Sequence, residues 1–458
     1  MKSSEEKLPR ERQDRALLLI ILLAFVLRVA YVLAAGLPDV ANGPDAPLYD
    51  KLAWRLITEG KYYAEDHLGR ISQANRPVLF PFVLGGIYRM FGHGPTAPRI
   101  FQCVLGALTC GLAFAMAKEL FCRRAAILAG IGASIFPQLI YYTGTITTET
   151  LHIFLLMSAV FLLVKGAAEI RVRLGEHDAR GLGEHEVRPY GGTPAIGERA
   201  RANTMVRPDD VKRWIASLAL WPAAGACLGL AVLARSAALG VIAVLLPWLL
   251  IVAENKRMAL VRFALLAAGF AVVLAPWVIR NHRELNAFVP ATTEGGYTFW
   301  VTNNDRATGG GECFLPDDVQ PFRDTTELQA DRLFYRMAFR WIGEHPGGFV
   351  ELLGAKFVRL WRPWPHAGEV GVKEAVIAGV SFVPVLILAV WGAIIARRRW
   401  RDLLLFYVVI GYTTGIYCLY MAITRYRAPL MPLLIVLAAF AVDELARGIR
   451  HEGNTMKG

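Results

Sequence analysis

The run ALLLIILLAFVLRVAYVLAAG, Ala16–Gly36, decides the architecture. A bilayer crossing needs roughly 20 predominantly apolar residues, and this run supplies them with a single charge, Arg28. Working outward from it, about ten runs of this kind occur along the chain. Hydrophobic residues make up 55% of the 458 and charged residues only 19%, too apolar for an ordinary soluble protein. Lipid offers the backbone no hydrogen-bond partners, so a spanning chain must be helical or a closed barrel. These runs are of helical length, which points to an all-α, polytopic transmembrane helix bundle.

On either side of that first run the sequence is polar. Residues 1–15 are charged and basic, a cytoplasmic tail by the positive-inside rule. No small-residue cleavage motif follows the apolar run, which reads as a signal anchor. Residues 37–98 form a first external loop. Within it Leu48, Leu52, Ala53 and Leu56 recur at helical spacing, opposite Asp50, Lys51, Arg55 and Glu59. That pattern suits a helix lying on the membrane surface and ending at Gly60. A second apolar run from Arg76 to Phe91 is broken by Pro and Gly and reads as interfacial or re-entrant. Spans are expected near Pro98–Leu120, Ala125–Tyr142 and Thr150–Val164. An arginine-rich cytoplasmic loop, 165–213, reads as disordered or loosely held. Spans near Trp214–Leu233, Ala237–Val252 and Leu260–Ile279 complete a catalytic module over 16–280. Residues 281–373 form an external segment with helix patterning over Thr326–Glu344 and Phe349–Trp361. The last spans, near Ala375–Ala396, Leu403–Met421 and Ala428–Leu445, occupy 374–446 and precede a cytoplasmic tail, 447–458.

The net charge of +12 comes from Lys and Arg gathered in the loops assigned to the cytoplasm. That is the signature of topology and of contact with membrane lipids; no basic face with interleaved aromatics marks a nucleic-acid binder. One turn breaks the trend: Thr424-Arg425-Tyr426-Arg427 puts a basic pair on the outer face. The six cysteines lie mostly in or beside apolar runs and show neither a disulfide framework nor metal-ligand spacing.

This topology brings the notable polar residues to one side, the main argument for a single site. Asp45, in Asn42-Gly43-Pro44-Asp45-Ala46-Pro47-Leu48-Tyr49, stands where a helix begins. It reads either as an N-cap, with proline following in the first turn, or as a general base. Tyr49 lies one turn on, as an interface aromatic or a substrate-orienting group. Glu149 opens a span, where the helix dipole favours a carboxylate; it reads as an acceptor-orienting acid or a ligand for a divalent cation. Two lone carboxylates make a poor magnesium cage, and no His/Cys cluster supports zinc. Arg280, Arg425 and Arg427, then Arg235 and Arg76, are candidates to hold a phosphate, against the plainer reading of headgroup snorkelling. Asn281, Glu294, Asn303, Asn304 and Tyr426 are candidate substrate-binding residues beside turn glycines Gly295 and Gly296.

Taken in order, these motifs resemble the C-type glycosyltransferases, which use polyprenyl-phosphate sugars. The likeness is to bacterial relatives of protein mannosyltransferases and lipid A aminoarabinose transferases. It is carried by Pro44–Tyr49, Arg76–Pro81, Thr148-Glu149, Pro276–Asn281, Phe288-Val289-Pro290, Gly295-Gly296, Trp300, Asn303-Asn304 and Arg425-Tyr426-Arg427 with Pro429 and Pro432. Pro44 stands where such proteins often have Gly, and no Pro follows Arg235. The resemblance implies a C-type architecture with interfacial helices in the first external loop. It implies an integral plasma-membrane enzyme of the cell envelope with an external or periplasmic active site and Asp45 as base. It would move a sugar from a polyprenyl-phosphate carrier to a lipid, glycan or protein acceptor, with inversion. The rival readings are a transporter or flippase of lipid-linked saccharides, or a polysaccharide ligase or polymerase with a diphosphate-linked donor. A flippase would want midplane charges and repeat-related halves; the spans show few of the former and no repeat.

Overall fold

The computed structural model describes residues 7–36, 45–182, 208–310, 320–365 and 371–455. Asn42 to Pro44 of the first-loop motif lie outside these. The helices are α1 (Lys7–Ala34), α2 (Ala46–Glu59), α3 (Leu79–Phe91), α4 (Thr96–Leu120), α5 (Arg123–Ile135), α6 (Pro137–Gly144), α7 (Glu149–Leu182), α8 (Pro208–Ala234), α9 (Val241–Val252) and α10 (Lys256–Leu285). They continue with α11 (Gly295–Val301), α12 (Gln320–Arg323), α13 (Glu327–Glu344), α14 (Pro346–Trp361), α15 (Val372–Ile395), α16 (Trp400–Leu419) and α17 (Met431–Thr455). The only strands among the described residues are β1 (Ala64–Glu65) and β2 (Ile71–Ser72), an antiparallel pair in the first loop. The chain is an all-α, multi-pass membrane bundle.

Among the described residues, seven helical stretches are long and apolar enough to cross a membrane, and eight if the bent pair α5–α6 counts as one. One stretch, Val372–Leu419, is 48 residues long, far beyond one crossing. Its contacts show that it turns back. Near its start Gly379 packs against Trp364; at the turn Arg399 donates to the Leu120 carbonyl at 2.6 Å; at its end the Leu419 carbonyl accepts from Lys356 on α14. Counting α15 and α16 separately, and adding one of the two shorter apolar stretches, Leu79–Phe91 and Ser236–Val252, brings the count among the described residues near the ten or so spans read from the sequence.

Two departures from the expected spans have clear causes. The span expected over Ala125–Tyr142 is broken, with α5 and α6 meeting at 47°. Pro137 has no N–H to continue the ladder, and the residue before it takes an extended conformation (Phe136 φ −67°, ψ 115°). The carbonyls orphaned by this break are met by Arg28. It donates to Ala133 and Ser134, each at 3.3 Å, and to Ala24 at 3.1 Å. The one charge in the first span is thus buried as the cap of a broken helix. Gly106 makes room for it: a Cβ there would stand 2.6 Å from Arg28 Nε. The second departure concerns the loop expected over 165–213. Helix α7 continues to Leu182 and α8 begins at Pro208, so both flanks are helical. The Ala-, Glu-, Arg- and Leu-rich sequence after Lys165 favours helix even where it is too polar for lipid. The centre of that loop lies outside the described residues.

The helices hold together through close backbone approach and one central helix. A Cβ on Gly225 of α8 would collide with the Leu266 backbone of α10, and one on Gly269 of α10 with the Pro222 backbone of α8. Small residues at such crossings allow the contact that drives helix association in lipid. The last span is 83% buried, whereas the Lys256–Leu285 span is only 17% buried and presents Val272 and Ile279 outward.

The contacts sort the helix ends into two faces. On one, Arg399 reaches Leu120, Lys165 reaches Glu119 at 4.0 Å and Arg447 pairs with Asp443 at 2.7 Å. On the other stand the first loop, the start of α7, the ends of α8 and α10, and the turn before α17. On that face α13 begins with a capping box, Thr326 with Gln329, and α13 and α14 form the two helices expected over Thr326–Glu344 and Phe349–Trp361.

Candidate active site

Asp45 occupies the N-cap position of α2, but its side chain makes no capping hydrogen bond. Its Oδ2 instead accepts from Arg425 Nη1 at 2.7 Å. The residue sits at a helix start as the sequence suggests, while its carboxylate is used elsewhere. Arg425 reaches a second acid as well: its Nε pairs with Glu149 Oε1. Arg235 Nη1 pairs with the same Glu149 oxygen at 2.8 Å. Four charges from four distant segments therefore form one chain, Asp45–Arg425–Glu149–Arg235.

Local structure explains how each arrives. Helix α8 stops at Ala234, and Arg235 is extended (φ −156°, ψ 113°) before a short 3-10 turn, which frees its side chain. Its guanidinium lies 4.4 Å from the Tyr426 ring centre, and Tyr426 stacks on Tyr417 at 4.6 Å. Arg425 lies in the 3-10 turn Thr424–Leu430 that precedes α17. Glu149 opens α7 after a turn anchored by α4: Arg99 donates to the Gly144 carbonyl at 2.9 Å and Gln102 to the Thr145 carbonyl at 2.6 Å.

The two acids differ in access. The Asp45 side chain is 28% exposed and that of Glu149 0%. Glu149 Oε2 is buried with no hydrogen-bond partner among the described residues. Nearby, Tyr49 packs edge-on to Phe80 at 5.4 Å. Burial holds its phenol well above the usual value, so it stays a neutral donor.

A second group adjoins the first. Arg76 pairs with Glu294 at 2.7 Å, and Glu294 also meets His67 at 3.2 Å. Tyr49 and Asp45 are within electrostatic reach of Arg76. Arg280 is turned to the loops: it donates to the Gln73 carbonyl at 2.8 Å, the Tyr62 carbonyl at 3.3 Å and Asn281 Oδ1 at 3.1 Å. Asn281 in turn donates to the Val289 carbonyl at 3.0 Å.

Three candidate residues make contacts of a structural kind. Arg427 is buried, donates to the carbonyls of Leu360, Arg362 and Pro363, and lies 3.6 Å from the Phe382 ring centre. Asn303 donates to the Phe299 carbonyl at 2.7 Å and accepts from Lys356 at 2.8 Å. Asn304 donates to the Trp300 carbonyl at 2.9 Å and receives the Arg306 N–H. The exceptional basic pair at 425 and 427 is thus explained: one arginine holds acids and the other holds backbone.

Sequence reading missed Lys356, fully buried on α14, where burial pushes its ammonium down to about 7. It also missed the reach of Glu327 back to Ser72 and to the Gln73 N–H at 2.7 Å. Neither carries a motif; each is set by packing across the external segments. Among the described residues no group of three His, Cys, Asp or Glu could hold a metal ion.

A family model described as dolichyl-phosphate-mannose-protein mannosyltransferase matches residues 75–174. That stretch begins at Asn75, runs through Arg76 and includes Glu149. The fold is shared with solved membrane enzymes. The Archaeoglobus fulgidus oligosaccharyltransferase AglB, in complex with an inhibitory peptide and a dolichol-phosphate, superposes at TM-score 0.51 and 14% identity over 97% of this chain and 52% of its own. The same enzyme tethered with an acceptor peptide gives 0.55 and 14% over 95% of this chain and 50% of its own. ArnT from Cupriavidus metallidurans, bound to undecaprenyl phosphate, gives 0.54 and 16% over 93% of this chain and 60% of its own. The chain spans about half to three fifths of the length of these proteins. No curated protein matches it significantly. At 14–16% identity the likeness shows a fold shared with AglB and ArnT.

Proposed function

We propose that this chain is an integral membrane glycosyltransferase that moves a sugar from a polyprenyl-phosphate carrier to an acceptor hydroxyl or amide on a lipid, glycan or protein. The observation that carries the reading is Arg425, clamped between an accessible acid, Asp45, and a buried one, Glu149. Support comes from the fold, whose solved members include proteins bound to dolichol-phosphate and undecaprenyl phosphate.

The acceptor must lose a proton as it attacks the anomeric carbon, and Asp45 is the accessible acid positioned to take it. As the sugar–phosphate bond breaks, negative charge grows on the carrier phosphate. Arg425 and Arg235 are fixed guanidiniums that meet that charge without reorganising, which is worth the most in a site shielded from water. Glu149, fully buried, orients both arginines through one oxygen. With Asp45 the one accessible carboxylate of the acid–arginine chain and no second nucleophile beside it among the described residues, the displacement is direct and inverts the anomeric centre. Arg425 bridges the two carboxylates, so a fixed positive charge stands between them. The arginine-rich helix ends on the opposite face, read by the positive-inside rule, support a cytoplasmic assignment for that face and an external or periplasmic one for the site.

The test uses purified chain with radiolabelled polyprenyl-phosphate sugars and a panel of lipid acceptors. Label moving to an acceptor, with inverted configuration, is the expected result; flipping of the carrier across vesicles without transfer contradicts it.

A further inference from the structure

Glu149 and Arg425 lie 276 residues apart in sequence, and the break between α5 and α6 brings a third element up to both. Helix α6 is only 8 residues long, yet it bonds the chain beside each of the two charges. From its first turn Gln138 Nε2 donates to the Thr424 carbonyl at 3.3 Å, and Thr424 is the residue before Arg425. In its last turn the Tyr142 carbonyl accepts from Thr150 Oγ1 at 2.9 Å, and Thr150 is the residue after Glu149. Tyr142 is itself buried and within electrostatic reach of Glu149 and Arg425.

These contacts depend on the bend. An unbroken helix would carry residues 138 to 142 straight along the α5 axis. With roughly 1.5 Å of rise per residue, the 47° turn at Pro137 moves Tyr142 about 5 Å off that axis. No hydrogen bond survives a displacement of that size. The bend in turn depends on Arg28. A broken ladder leaves carbonyls without donors in a dry interior, which favours straightening unless donors are supplied. The buried Arg28 guanidinium supplies them to Ala133 and Ser134. It also stands close to α6 and to the start of α7. A Cβ on Gly106 would meet both Arg28 Nε, at 2.6 Å, and Thr143 Cγ2, at 2.8 Å. Arg28, Leu139 and Thr150 line one small cavity.

We infer that α6 registers Glu149 against Arg425, with Gln138 and Thr150 as positioning residues and Arg28 holding α6 at its angle. All three act through the acid–arginine pair. The consequence for rate rests on the transferase reading; the registration itself does not.

The test uses the full-length chain in detergent. It measures sugar transfer from a polyprenyl-phosphate sugar, melting, and backbone hydrogen exchange over Thr424–Leu430 and the first turn of α7. Thr150→Val removes the hydroxyl at nearly constant volume, Thr150→Ser keeps it, and Gln138→Leu removes the amide. In Thr150→Val and Gln138→Leu, kcat should fall at least about tenfold with acceptor KM near wild type, as for a misplaced reacting group. Exchange should quicken over the same segments, and Thr150→Ser should recover most of the rate. Pro137→Ala gives the Ala133 carbonyl an N–H partner again. It should melt at or above the wild-type temperature while kcat falls, a split that a merely structural role does not produce. Arg28→Met should lower the melting temperature less in the Pro137→Ala background than in the wild type. Wild-type kcat in both Thr150→Val and Gln138→Leu overturns the inference. So does a loss of kcat that only tracks lost melting temperature, with no recovery in Thr150→Ser. A wild type that moves no sugar counts against the transferase reading instead. Exchange then decides: quicker exchange in the variants upholds the registration, and unchanged exchange overturns it.

Discussion

Arg425 and Arg427 are two residues apart in one turn, and they serve opposite ends. Arg425 reaches forward to Asp45 and Glu149 and stays partly open to solvent. Arg427 turns back, is buried, and joins three carbonyls at the end of α14. A 3-10 turn places successive side chains about 120° apart, so alternate residues leave it in different directions. One sends its charge into the site and the other into the scaffold behind it. The lesson is that the partner decides the role: carboxylates keep a guanidinium available for a ligand's charge, whereas backbone carbonyls use it up as a strut.

The comparison breaks most visibly if the two arginines respond alike. Arg425→Ala should lower sugar transfer about 10³-fold while the protein melts near the wild-type temperature, the loss expected when a fixed donor to developing charge is removed. Arg425→Lys should not restore it, since one ammonium cannot fork between two acids. Arg427→Ala should do the reverse. Unpartnered carbonyls around a cavity cost on the order of 3 kcal/mol, so unfolding, followed by tryptophan fluorescence, shifts down while the folded fraction turns over near the wild-type rate.

Glu149→Gln sharpens the comparison further. It keeps shape but leaves Arg235 and Arg425 without their shared anion, and transfer should fall by about 10²-fold with little change in acceptor KM.

The smallest effect concerns Lys356, the strut next to Arg427. Its folded-state value near 7 lies below the ordinary lysine value. Between those limits the unfolded chain holds a proton that the folded chain has released, so stability rises as pH climbs above about 7. Melting temperature should therefore increase from about pH 7 to 9, and Lys356→Met should flatten that increase.

Much of this was legible in the sequence because lipid leaves few options. Span length, Pro and Gly punctuation and the arginine-rich loops pointed to about ten crossings, and the topology read from them put Asp45, Glu149, Arg235 and Arg425 on one face. What stayed hidden was direction. Nothing in Arg-Tyr-Arg says which arginine points forward, and nothing in Asn303-Asn304 says that both side chains bond backbone. The span over Ala125–Tyr142 was read as unbroken despite Pro137, and the link of that break to Arg28 stayed hidden because the two lie more than a hundred residues apart and meet only in the folded bundle. The Glu327 bridge to Ser72 and Gln73 depends on α13 folding over the first-loop hairpin, a long-range contact with no local signature.

The most direct measurement is the rate of sugar transfer from a polyprenyl-phosphate sugar by Asp45→Asn, taken alongside its affinity for the bare carrier and its melting curve. With Asp45 as the base, transfer drops by at least about 10²-fold while carrier affinity and melting stay at wild-type values, and Asp45→Glu recovers part of the rate. Full transfer by Asp45→Asn would contradict the account.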